Sequence, residues 1–530
     1  MEERGVAGAG SALVVAPEQR AAEAAAAVLA EGGHAVAAMV CAAATIAVTY
    51  PHMCGLGGDG FWLVLEPGVP AWGIDAAGVA GTASTPGFYA ERGWRRIPIR
   101  GPLAANTVAG AVSGWSLALQ RSQGWDGVMP LSRLLEPAIR YARDASIAPG
   151  LLRSLQGVGP ELIEQLGFRE HFMPHGVPGA QTRLCQNALA ETLTQLGRAG
   201  LEDFYEGDVA RMLATELQQV GSPLSLVDLT NYKAQFCQPW TLEHRLGVLY
   251  NLPPPTQGVV SLAILGIVDR LAFGGRSLES ADGVHAVVEA TKQAFRLRDE
   301  GLRHGFTQHI LTPERLNAAA GSILQNRAAP WGPGAGPGDT VWMGIIDRAG
   351  RAVSYIQSLY HEFGSGLALP GSGVLWQNRG SSFSLREGHH LSLVPGRKPW
   401  HTLNPAMALL KDGSCLVYGA MGGDGQGQTQ AAIFIRSVLH GHSAQDAVAA
   451  PRWLLGRTWG QPTDTLKVED RFSAAVIEQL RTRGHVLELL SPFDEAVGHA
   501  GLVRRDRDGI LTGASDPRSD GAAIVVAPVR

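Results

Sequence analysis

The segment formed by residues 331–338, with the sequence WGPGAGPG, restricts the fold of this chain more than any other feature. Four glycines and two prolines in eight residues cannot maintain a helix or a strand, so we expect an exposed loop or linker. Directly after it, residues 340–347 and 352–358 have the texture of two strands around a turn at residues 348–350. The sequence therefore predicts a flexible loop that runs straight into a β-hairpin beginning with the dipeptide Asp-Thr.

Two interpretations of this loop remain open on the residues alone. The simpler one is an ordinary linker between domains. The other is chemical: a threonine hydroxyl is a poor nucleophile without a base, but Thr340 would carry its own base if it became the first residue of a new chain. The pKa of an α-amine is about 7.7–8.0, so much of it is neutral near physiological pH. A glycine-rich loop would let the Thr340 hydroxyl attack the carbonyl of Asp339, which makes self-cleavage feasible.

Composition excludes several classes of protein. With 45% hydrophobic and 17% charged residues, the 530-residue chain can bury a large core and has no signature of disorder. The net charge is −4 with both signs interspersed, which argues against nucleic acid or a membrane surface as partners.

Five widely spaced cysteines form no CxxC pair, so neither a disulfide framework nor a zinc site is indicated. The first residues, MEERGVAGAGSALVV, lack the charged and apolar segments of a signal peptide. The apolar stretch at residues 35–48 is too short to span a bilayer and predicts a buried helix. These features predict a soluble protein in the cytoplasm.

Apolar residues at helical spacing predict several helices whose stripes are typical of core-facing surfaces rather than of cofactor sites. We expect an alanine-rich helix with a glycine stop over residues 17–33, and a second apolar helix from Ala35 to about Thr49. A strand is expected over residues 61–65, and further helices over residues 130–144, 187–199, 208–219, 283–301, 430–440 and 473–483.

Two glycine-rich turns are candidates for chemistry. Residues 421–423 follow a strand-like stretch, and the N–H groups of Gly422 and Gly423 can donate to a developing oxyanion. A simple turn is the alternative, and GGDGQG fits neither a P-loop nor a well-placed GxGxxG, which argues against a nucleotide site. In the other turn, residues 54–60, we predict that Asp59 is a turn former rather than a calcium-like ligand.

Taken in order, the motifs of this chain resemble the gamma-glutamyltransferase family over residues 16–524. In the first part, the resemblance lies in residues 21–38, 55–61, 109–119, 129–144, 204–210 and 251–258. In the second part, it lies in residues 340–347, 363–364, 398–399, 404–405, 419–423 and 513–521. This resemblance favours self-cleavage over an ordinary linker.

The resemblance implies an α/β (α+β) fold of the N-terminal-nucleophile hydrolase type. This is a four-layer αββα sandwich, in which two stacked antiparallel sheets are flanked by helices. It implies cleavage between Asp339 and Thr340 into a large subunit, residues 1–339, and a small subunit, residues 340–530, which remain together as one domain. The partners expected are these two subunits as a heterodimer, or a dimer of such heterodimers, and a small amide substrate.

Four residues fall on the family's catalytic positions. Thr340 falls on the nucleophile, where members usually read Thr-Thr-His. Ser358 stands where the family has a second threonine whose hydroxyl bonds the nucleophile, so the hydroxyl is retained. Gly422 and Gly423 fall on the oxyanion-hole pair. The resemblance therefore implies an intact amide-cleaving apparatus, with neither a cofactor nor a metal.

The stretch that holds the substrate's α-amino group in gamma-glutamyltransferases is altered here, at residues 377–383 (QNRGSSF). Ser382 replaces the family's aspartate, and Arg379 replaces a Gln or Glu. A buried ammonium group that lacks its carboxylate is strongly unfavourable, so a glutamyl donor should bind poorly. Because arginine offers a bidentate fork to a carboxylate, Arg379 predicts a substrate with a carboxylate and no α-amino group. The alternative is a surface or salt-bridged arginine.

Other substrate-binding positions also differ from the family. Its paired serines become His401 and Thr402, and an asparagine used for the glutamyl group becomes Tyr360. The arginine that grips the α-carboxylate should lie near Pro86, where this chain has none. We therefore place Tyr360, His401 and Thr402 with Arg379 and Ser382 in the candidate substrate-binding set.

His361 and Glu362 suggest a catalytic dyad. Adjacent residues of a strand point to opposite faces, so they cannot act together on one substrate if this stretch is extended. We expect at most one of them to line the pocket.

The runs DTVWMGIID, SLYHEFGSG and YPHMCGLGGDGFW are similar to the oxamate amidohydrolase branch of this family. This resemblance implies hydrolysis of oxamate to oxalate and ammonia through an acyl-Thr340 intermediate, with water as the acceptor. Gamma-glutamyl transfer or glutathione hydrolysis is the alternative, and a non-catalytic binding protein is a further one.

Overall fold

The part of the chain that is described contains nineteen short strands. The structure is a computed structural model that describes residues 6–8, 10–271, 275–331, 339–456 and 463–528, so most of the predicted loop, residues 332–338, lies outside it. In chain order the strands are β1 (Val6–Ala7), β2 (Ala12–Ala16), β3 (Asp59–Leu65), β4 (Trp72–Ala76), β5 (Ala145–Ser146), β6 (Arg183–Leu184), β7 (Gln235–Cys237), β8 (Trp240–His244), β9 (Gly247–Asn251), β10 (Asp339–Ile346), β11 (Ala352–Tyr360), β12 (Ala406–Leu410), β13 (Cys415–Ala420), β14 (Trp453–Leu455), β15 (Leu466–Glu469), β16 (Leu487–Leu490), β17 (Ala500–Arg505), β18 (Leu511–Ser515) and β19 (Ala522–Val526).

Two seven-stranded sheets dominate the fold. Sheet 1 has the order β1-β18-β17-β13-β12-β9-β8, and sheet 2 has the order β19-β2-β10-β11-β3-β4-β7. Neighbouring strands run antiparallel in both sheets. A small sheet of β14, β15 and β16 and the pair β5–β6 lie outside them.

The described residues form eighteen α-helices, some of which cover the outer faces of these sheets. In chain order they are α1 (Gln19–Ala30), α2 (Ala35–Thr49), α3 (Pro86–Ala90), α4 (Ala111–Arg121), α5 (Leu131–Arg143), α6 (Pro149–Gly157), α7 (Pro160–Ile163), α8 (Phe168–Phe172), α9 (Asn187–Ala199), α10 (Asp203–Glu206), α11 (Asp208–Gln219), α12 (Leu226–Thr230), α13 (Gly258–Arg270), α14 (Ala281–His304), α15 (Pro313–Gly321), α16 (Gly425–Phe434), α17 (Ala444–Ala449) and α18 (Ala474–Thr482). Every residue of α2 is buried, which explains why it lacks a polar face. A π-helical turn, Ile435–Leu439, continues α16.

Three apolar layers result from this arrangement. One lies between the two sheets and includes Phe61, Trp342 and Ile356. Another packs α1 and α2 on the outer face of sheet 2, with α5 packed on α2. The last packs α13, α14 and α16 on the outer face of sheet 1. Helix, sheet, sheet and helix layers thus follow one another, as the four-layer αββα prediction requires.

The spacing between the sheets depends on glycines around Trp342. A Cβ atom added to Gly419 in sheet 1 would lie 2.1 Å from the Trp342 ring, and one added to Gly501 would lie 2.5 Å from it. On its own strand, a Cβ at Gly344 would approach the same ring to 2.7 Å. Since real Cβ atoms do not come so close, these glycines make the space that the indole fills.

Most predicted elements are confirmed. The helix predicted over residues 17–33 is α1, and α2, α9 and α11 have the predicted bounds. The hairpin after the glycine-rich loop is β10 and β11, paired antiparallel. Within the described residues, no helix combines the length and apolar character needed to cross a bilayer.

Candidate functional site

The register of sheet 2 places Thr340, Ser358 and Asp59 close together on three neighbouring strands. Ser358 in β11 lies directly opposite Asp59 in β3. On the other side of β11, the ladder with β10 is irregular between residues 339 and 341, so Thr340 lies at this bulge beside the end of β11. Bulges re-aim side chains and are common next to active sites. Three polar residues therefore meet at one end of sheet 2.

Side-chain alternation shows which face the three residues share. The residues two positions away on the same strands all belong to the layer between the sheets: Trp342, Ile356 and Phe61. Because side chains of a strand alternate between its faces, Thr340, Ser358 and Asp59 point into that layer too. The candidate site is thus a polar end of the inter-sheet core.

The Thr340 side chain is buried, with 2% of the residue exposed. Its Oγ1 has no hydrogen-bond partner in the described parts of the chain, so the bond between the two hydroxyls that the resemblance implies is not formed in the uncleaved chain. Ser358 Oγ accepts a hydrogen bond of 2.8 Å from the N–H of Tyr360. Buried hydroxyls without a partner are unfavourable and rare, which marks Thr340 as a functional candidate.

Tyr360 ends β11 in a backbone conformation that L residues rarely adopt, with φ at +83°. Such conformations cost about 1–3 kcal/mol and persist where the surrounding structure imposes them, often at functional sites. Here the ring is directed at Arg379, whose guanidinium carbon lies 3.9 Å from the ring centroid. Burial raises the pKa of Tyr360, so the phenol is neutral and the contact is a cation–π interaction.

Arg379 is buried, with 3% of the residue exposed, and is therefore not a surface arginine. Its guanidinium donates to the backbone carbonyl of Trp400, and its Nε has no partner. Within the described residues it forms no ion pair with a carboxylate. Burial lowers the pKa of Arg379, and the negative charges of Asp59 and Asp424 oppose that effect. A buried guanidinium without a counter-ion is a candidate binding group for an anion.

His401 is also buried, and its Nε2 lies 3.2 Å from Oδ2 of Asp59, at an angle bent away from an ideal hydrogen bond. Its Nδ1 has no partner among the described residues. Burial lowers the pKa of His401 and the charge of Arg379 adds to this, whereas Asp59 opposes it. The imidazole is therefore neutral at neutral pH.

Asp59 corrects the prediction that it is a turn former. It is the first residue of β3 and is fully buried. Its Oδ1 accepts hydrogen bonds from Gly78 N–H at 2.8 Å, Gly110 N–H at 3.1 Å and Gln377 Nε2 at 2.9 Å. The signal in the sequence is an acidic residue placed directly before an apolar strand, where the carboxylate must be buried with the strand.

Thr402 and Ser382 have different environments. Thr402 is buried, and its Oγ1 has no partner in the described residues. Ser382 is half-buried at the end of a 3₁₀ turn, Arg379–Ser382, and its hydroxyl donates to the backbone carbonyl of Arg379 at 2.9 Å. Ser382 therefore stabilises the turn that carries Arg379. It stands at the position where the resemblance implies an aspartate.

The glycine loop after β13 has positive φ values at two consecutive residues. Gly422 and Gly423 have φ values of +117° and +53°, which favour glycine at both positions. Met421 N–H donates to His499 O at 2.9 Å, and Gly425 N–H donates to Gly422 O at 2.8 Å. These bonds fix the orientation of consecutive peptide groups directly before α16, and the N-terminus of a helix is a favourable environment for an anion.

A buried polar network supports this loop, and the sequence did not reveal it. Gln257 Nε2 donates to Gly423 O at 3.2 Å. Arg298 Nη1 lies 3.2 Å from Oδ1 of Asp424 and 3.4 Å from Oε1 of Gln257. Gln257 belongs to the motif NLPPPTQG, which had no assigned role, and Arg298 lies on α14. Only the tertiary contact shows that they position the loop.

The argument that His361 and Glu362 point to opposite faces does not apply, because it assumed that both residues lie on an extended strand. β11 ends at Tyr360, and the two residues lie in a turn rather than on an extended strand. Burial raises the pKa of Glu362. The resemblance implies an arginine near Pro86, and Arg100 follows that position in the sequence. Its guanidinium donates to the backbone carbonyl of Glu362 at 2.6 Å and to that of Gly364. It therefore holds this turn through its backbone.

Comparison with known proteins agrees with this geometry. The gamma-glutamyltranspeptidase family model matches residues 21–526. The chain is 52% identical over 523 residues to the oxamate amidohydrolase proenzyme of Klebsiella pneumoniae, covering 96% of this chain and 98% of that protein. It is 36% identical over 522 residues to the glutathione hydrolase-like YwrD proenzyme of Bacillus subtilis, covering 97% and 98%.

A solved structure supports the same fold over nearly the full length. The cephalosporin acylase from Bacillus halodurans matches with a TM-score of 0.87 at 28% identity, covering 99% of this chain and 97% of that one. The αββα layers and these relatives together establish what kind of protein this is. The chain belongs to the gamma-glutamyltranspeptidase family and is a self-processing N-terminal-nucleophile hydrolase that acts on amide C–N bonds.

Proposed function

We propose that the chain is cut between Asp339 and Thr340, and that the product hydrolyses a small amide that carries a carboxylate, with oxamate as the best candidate. One observation carries the choice of substrate: Arg379 is buried beside Tyr360 and has no carboxylate partner among the described residues. The 52% identical relative from Klebsiella pneumoniae is named an oxamate amidohydrolase, which supports the same substrate.

In this proposal the Thr340 hydroxyl attacks the carbonyl carbon of Asp339, and hydrolysis of the resulting ester leaves residues 1–339 and 340–530 as two subunits. The strand order of sheet 2 supports their lasting association. The small subunit contributes β10, β11 and β19, which pair with β2 and β3 of the large subunit. Separation would break ladder hydrogen bonds within both sheets, so we expect a stable heterodimer.

Catalysis then uses the new α-amino group of Thr340 as the base. It takes the proton of the Thr340 hydroxyl while Oγ1 bonds to the amide carbon, and Ser358 beside it orients the nucleophile. The oxyanion accepts hydrogen bonds from the N–H groups of Gly422 and Gly423. The C–N bond breaks, the nitrogen takes the proton and leaves as ammonia, and water hydrolyses the acyl-Thr340 ester to release oxalate.

Substrate recognition rests on charge. The guanidinium of Arg379 offers two parallel N–H groups to the substrate carboxylate, and Tyr360 holds its plane. His401 and Thr402 supply further polar atoms, and Ser382 keeps the turn of Arg379 in place. A glutamyl substrate would bring an ammonium group to a pocket that contains a cation and in which Ser382 replaces the family's aspartate.

A paired assay tests the proposal. Ammonia release from oxamate is measured beside anilide release from a gamma-glutamyl anilide, with the same mature protein. We expect turnover of oxamate and little of the anilide. If only the anilide is hydrolysed, gamma-glutamyl transfer or glutathione hydrolysis is the function, and the role given to Arg379 and Ser382 is wrong.

We also propose a cytoplasmic location, supported by five free cysteines, of which Cys41 and Cys54 are buried. The mass of the native assembly in solution distinguishes a single heterodimer from a dimer of heterodimers.

A further inference from the structure

Several buried polar atoms around the candidate site have no hydrogen-bond partner among the described residues. They include Oγ1 of Thr340, Nε of Arg379, Nδ1 of His401 and Oγ1 of Thr402, and also Nε2 of His401 and Oδ2 of Asp59, which face each other at 3.2 Å. Native proteins leave few buried polar atoms unpaired, so a group of them in one place indicates the surface that a polar ligand completes. Whether each of these atoms carries a proton then determines whether it donates a hydrogen bond to the ligand or accepts one from it.

A closed ring of contacts connects residues at this site, namely Asp59, Ser358, Tyr360, Arg379 and His401. Asp59 is opposite Ser358 across the strand pair, and Ser358 accepts from Tyr360 N–H. Tyr360 stacks on Arg379, and Arg379 bonds the carbonyl of the residue that precedes His401. His401 closes the ring at Asp59. Its ring also packs edge-on against Phe61, with the centroids 5.0 Å apart, so its orientation is fixed from two sides.

The carboxylate of Asp59 determines which nitrogen of His401 carries the proton. Oδ1 of Asp59 already accepts three N–H groups, and only Oδ2 faces His401. A carboxylate is an acceptor, so the nitrogen that faces it must be the N–H. A neutral imidazole has one N–H and one bare nitrogen, and the bare one is then Nδ1.

We propose that Asp59 holds His401 as the Nε2–H tautomer, so that the bare Nδ1 accepts an N–H of the scissile amide and makes the site prefer amides over the matching esters. This inference rests on the proposed function and adds the reason why an amide nitrogen is recognised. A primary amide has N–H donors to offer Nδ1, whereas the alkoxy oxygen of an ester has none. Asp59 is a positioning residue in this account, since it acts through His401.

The decisive variant is Asp59→Asn. Its amide oxygen can keep the three hydrogen bonds to Oδ1, while its NH₂ group would face His401 Nε2 and force the opposite tautomer. Nδ1 would then carry a proton and confront the amide N–H as a second donor. Because this exchange preserves shape, it separates the tautomer from the support that Asp59 gives the fold.

Two further variants serve as controls. Asp75 also acts electrostatically on His401, but its carboxylate is engaged by Lys398 at 2.8 Å, so Asp75→Asn removes a nearby negative charge without touching Nε2. His401→Asn can place a carbonyl oxygen near the position of Nδ1 and needs no partner at Nε2. In the His401→Asn background, adding Asp59→Asn should therefore change little.

The first measurement is the ratio of kcat/KM for oxamate to kcat/KM for monomethyl oxalate. We expect Asp59→Asn to lower this ratio about tenfold or more, as the loss of one buried hydrogen bond does, and Asp75→Asn to leave it within about twofold. An equal loss on both substrates would mean that Asp59 only supports the fold, and an unchanged ratio would equally overturn the inference.

The second measurement needs no substrate. Ring nitrogen NMR of histidine-labelled protein distinguishes Nε2–H from Nδ1–H, and the signal missing in His401→Asn identifies residue 401. We expect Nε2–H in the unmodified protein and Nδ1–H in Asp59→Asn. The same tautomer in both proteins, or a doubly protonated ring in the unmodified one, contradicts the inference. If oxamate is not hydrolysed at all, the proposed substrate fails while this measurement still decides the tautomer.

Discussion

The guanidinium of Arg379 lies over the ring of Tyr360, 3.9 Å from its centroid, where the chain leaves β11. The positive φ of Tyr360 sends the chain out of the strand, and the same residue donates its N–H to Ser358. One residue thus connects the strand that bears Ser358 with the cation that we assign to the substrate carboxylate. In the proposed function, recognition and catalysis therefore share a single structural element.

Replacing Thr340 with alanine should abolish both maturation and turnover. Without the hydroxyl, no acyl shift can occur at Asp339, so a denaturing gel should show one full-length band where the unmodified protein shows two fragments, residues 1–339 and 340–530. Thr340→Ser keeps a hydroxyl and should be cleaved more slowly. A single full-length band from the unmodified protein would contradict self-processing, and fragments of other lengths would contradict the assigned cleavage site.

Arg379→Lys should weaken binding of the carboxylate. Lysine keeps the charge but loses the bidentate fork and the planar stacking on Tyr360, so kcat/KM for oxamate should fall about 10–100-fold. Arg386→Lys, on the exposed part of the following loop, is the matched control and should leave the rate unchanged. Equal rates for Arg379→Lys and the unmodified protein would place the carboxylate elsewhere.

Gly423→Ala should reduce catalysis more than stability. An added methyl group at φ +53° strains the backbone by about 1–2 kcal/mol and displaces an N–H of the oxyanion pair, so kcat should fall by about 10²–10³. Gly441→Ala is the control, because Gly441 has a similar φ of +68° and nothing within 4 Å of the added Cβ. Both variants should lose similar thermal stability, and only Gly423→Ala should lose activity.

Acid should destabilise the protein partly through His485. Its pKa is lowered to about 3 by burial, Lys292, His285 and Arg483, and its Nε2 lies 2.8 Å from Nδ1 of His285. The unfolded chain binds this proton below about pH 6.5 and the folded chain does not, so the stabilisation is present above that pH and is lost towards pH 3.

Because His485 is buried, we expect about 2 kcal/mol of this loss between pH 7 and pH 5. His485→Gln can keep a donor near Nε2 and cannot titrate, so its melting temperature should fall less over the same range. An identical pH dependence in both proteins would assign the acid sensitivity to other groups.

The sequence predicted the elements of the fold well where the residues that determine an element are neighbours in the chain. The bounds of α2 and α9 follow from apolar spacing and flanking residues, and the β10–β11 hairpin follows from its turn. The argument about His361 and Glu362 held only for an extended stretch, and β11 ends before them at Tyr360, whose positive φ no pattern of neighbours reveals. Asp59 was taken for a turn former because its partners are distant in sequence.

The sequence by itself determined the family, the nucleophile candidate and the altered recognition set, since these are read from residue types in order. Only the tertiary structure decided that Arg379 is buried with no carboxylate partner among the described residues, that Asp59 faces His401, and that Gln257 and Arg298 hold the glycine loop. Burial and the pairing of charges depend on which segments, distant in sequence, meet in the fold. The resulting distances between charged groups determine the charge of each group and the position of its proton more strongly than the residue type does.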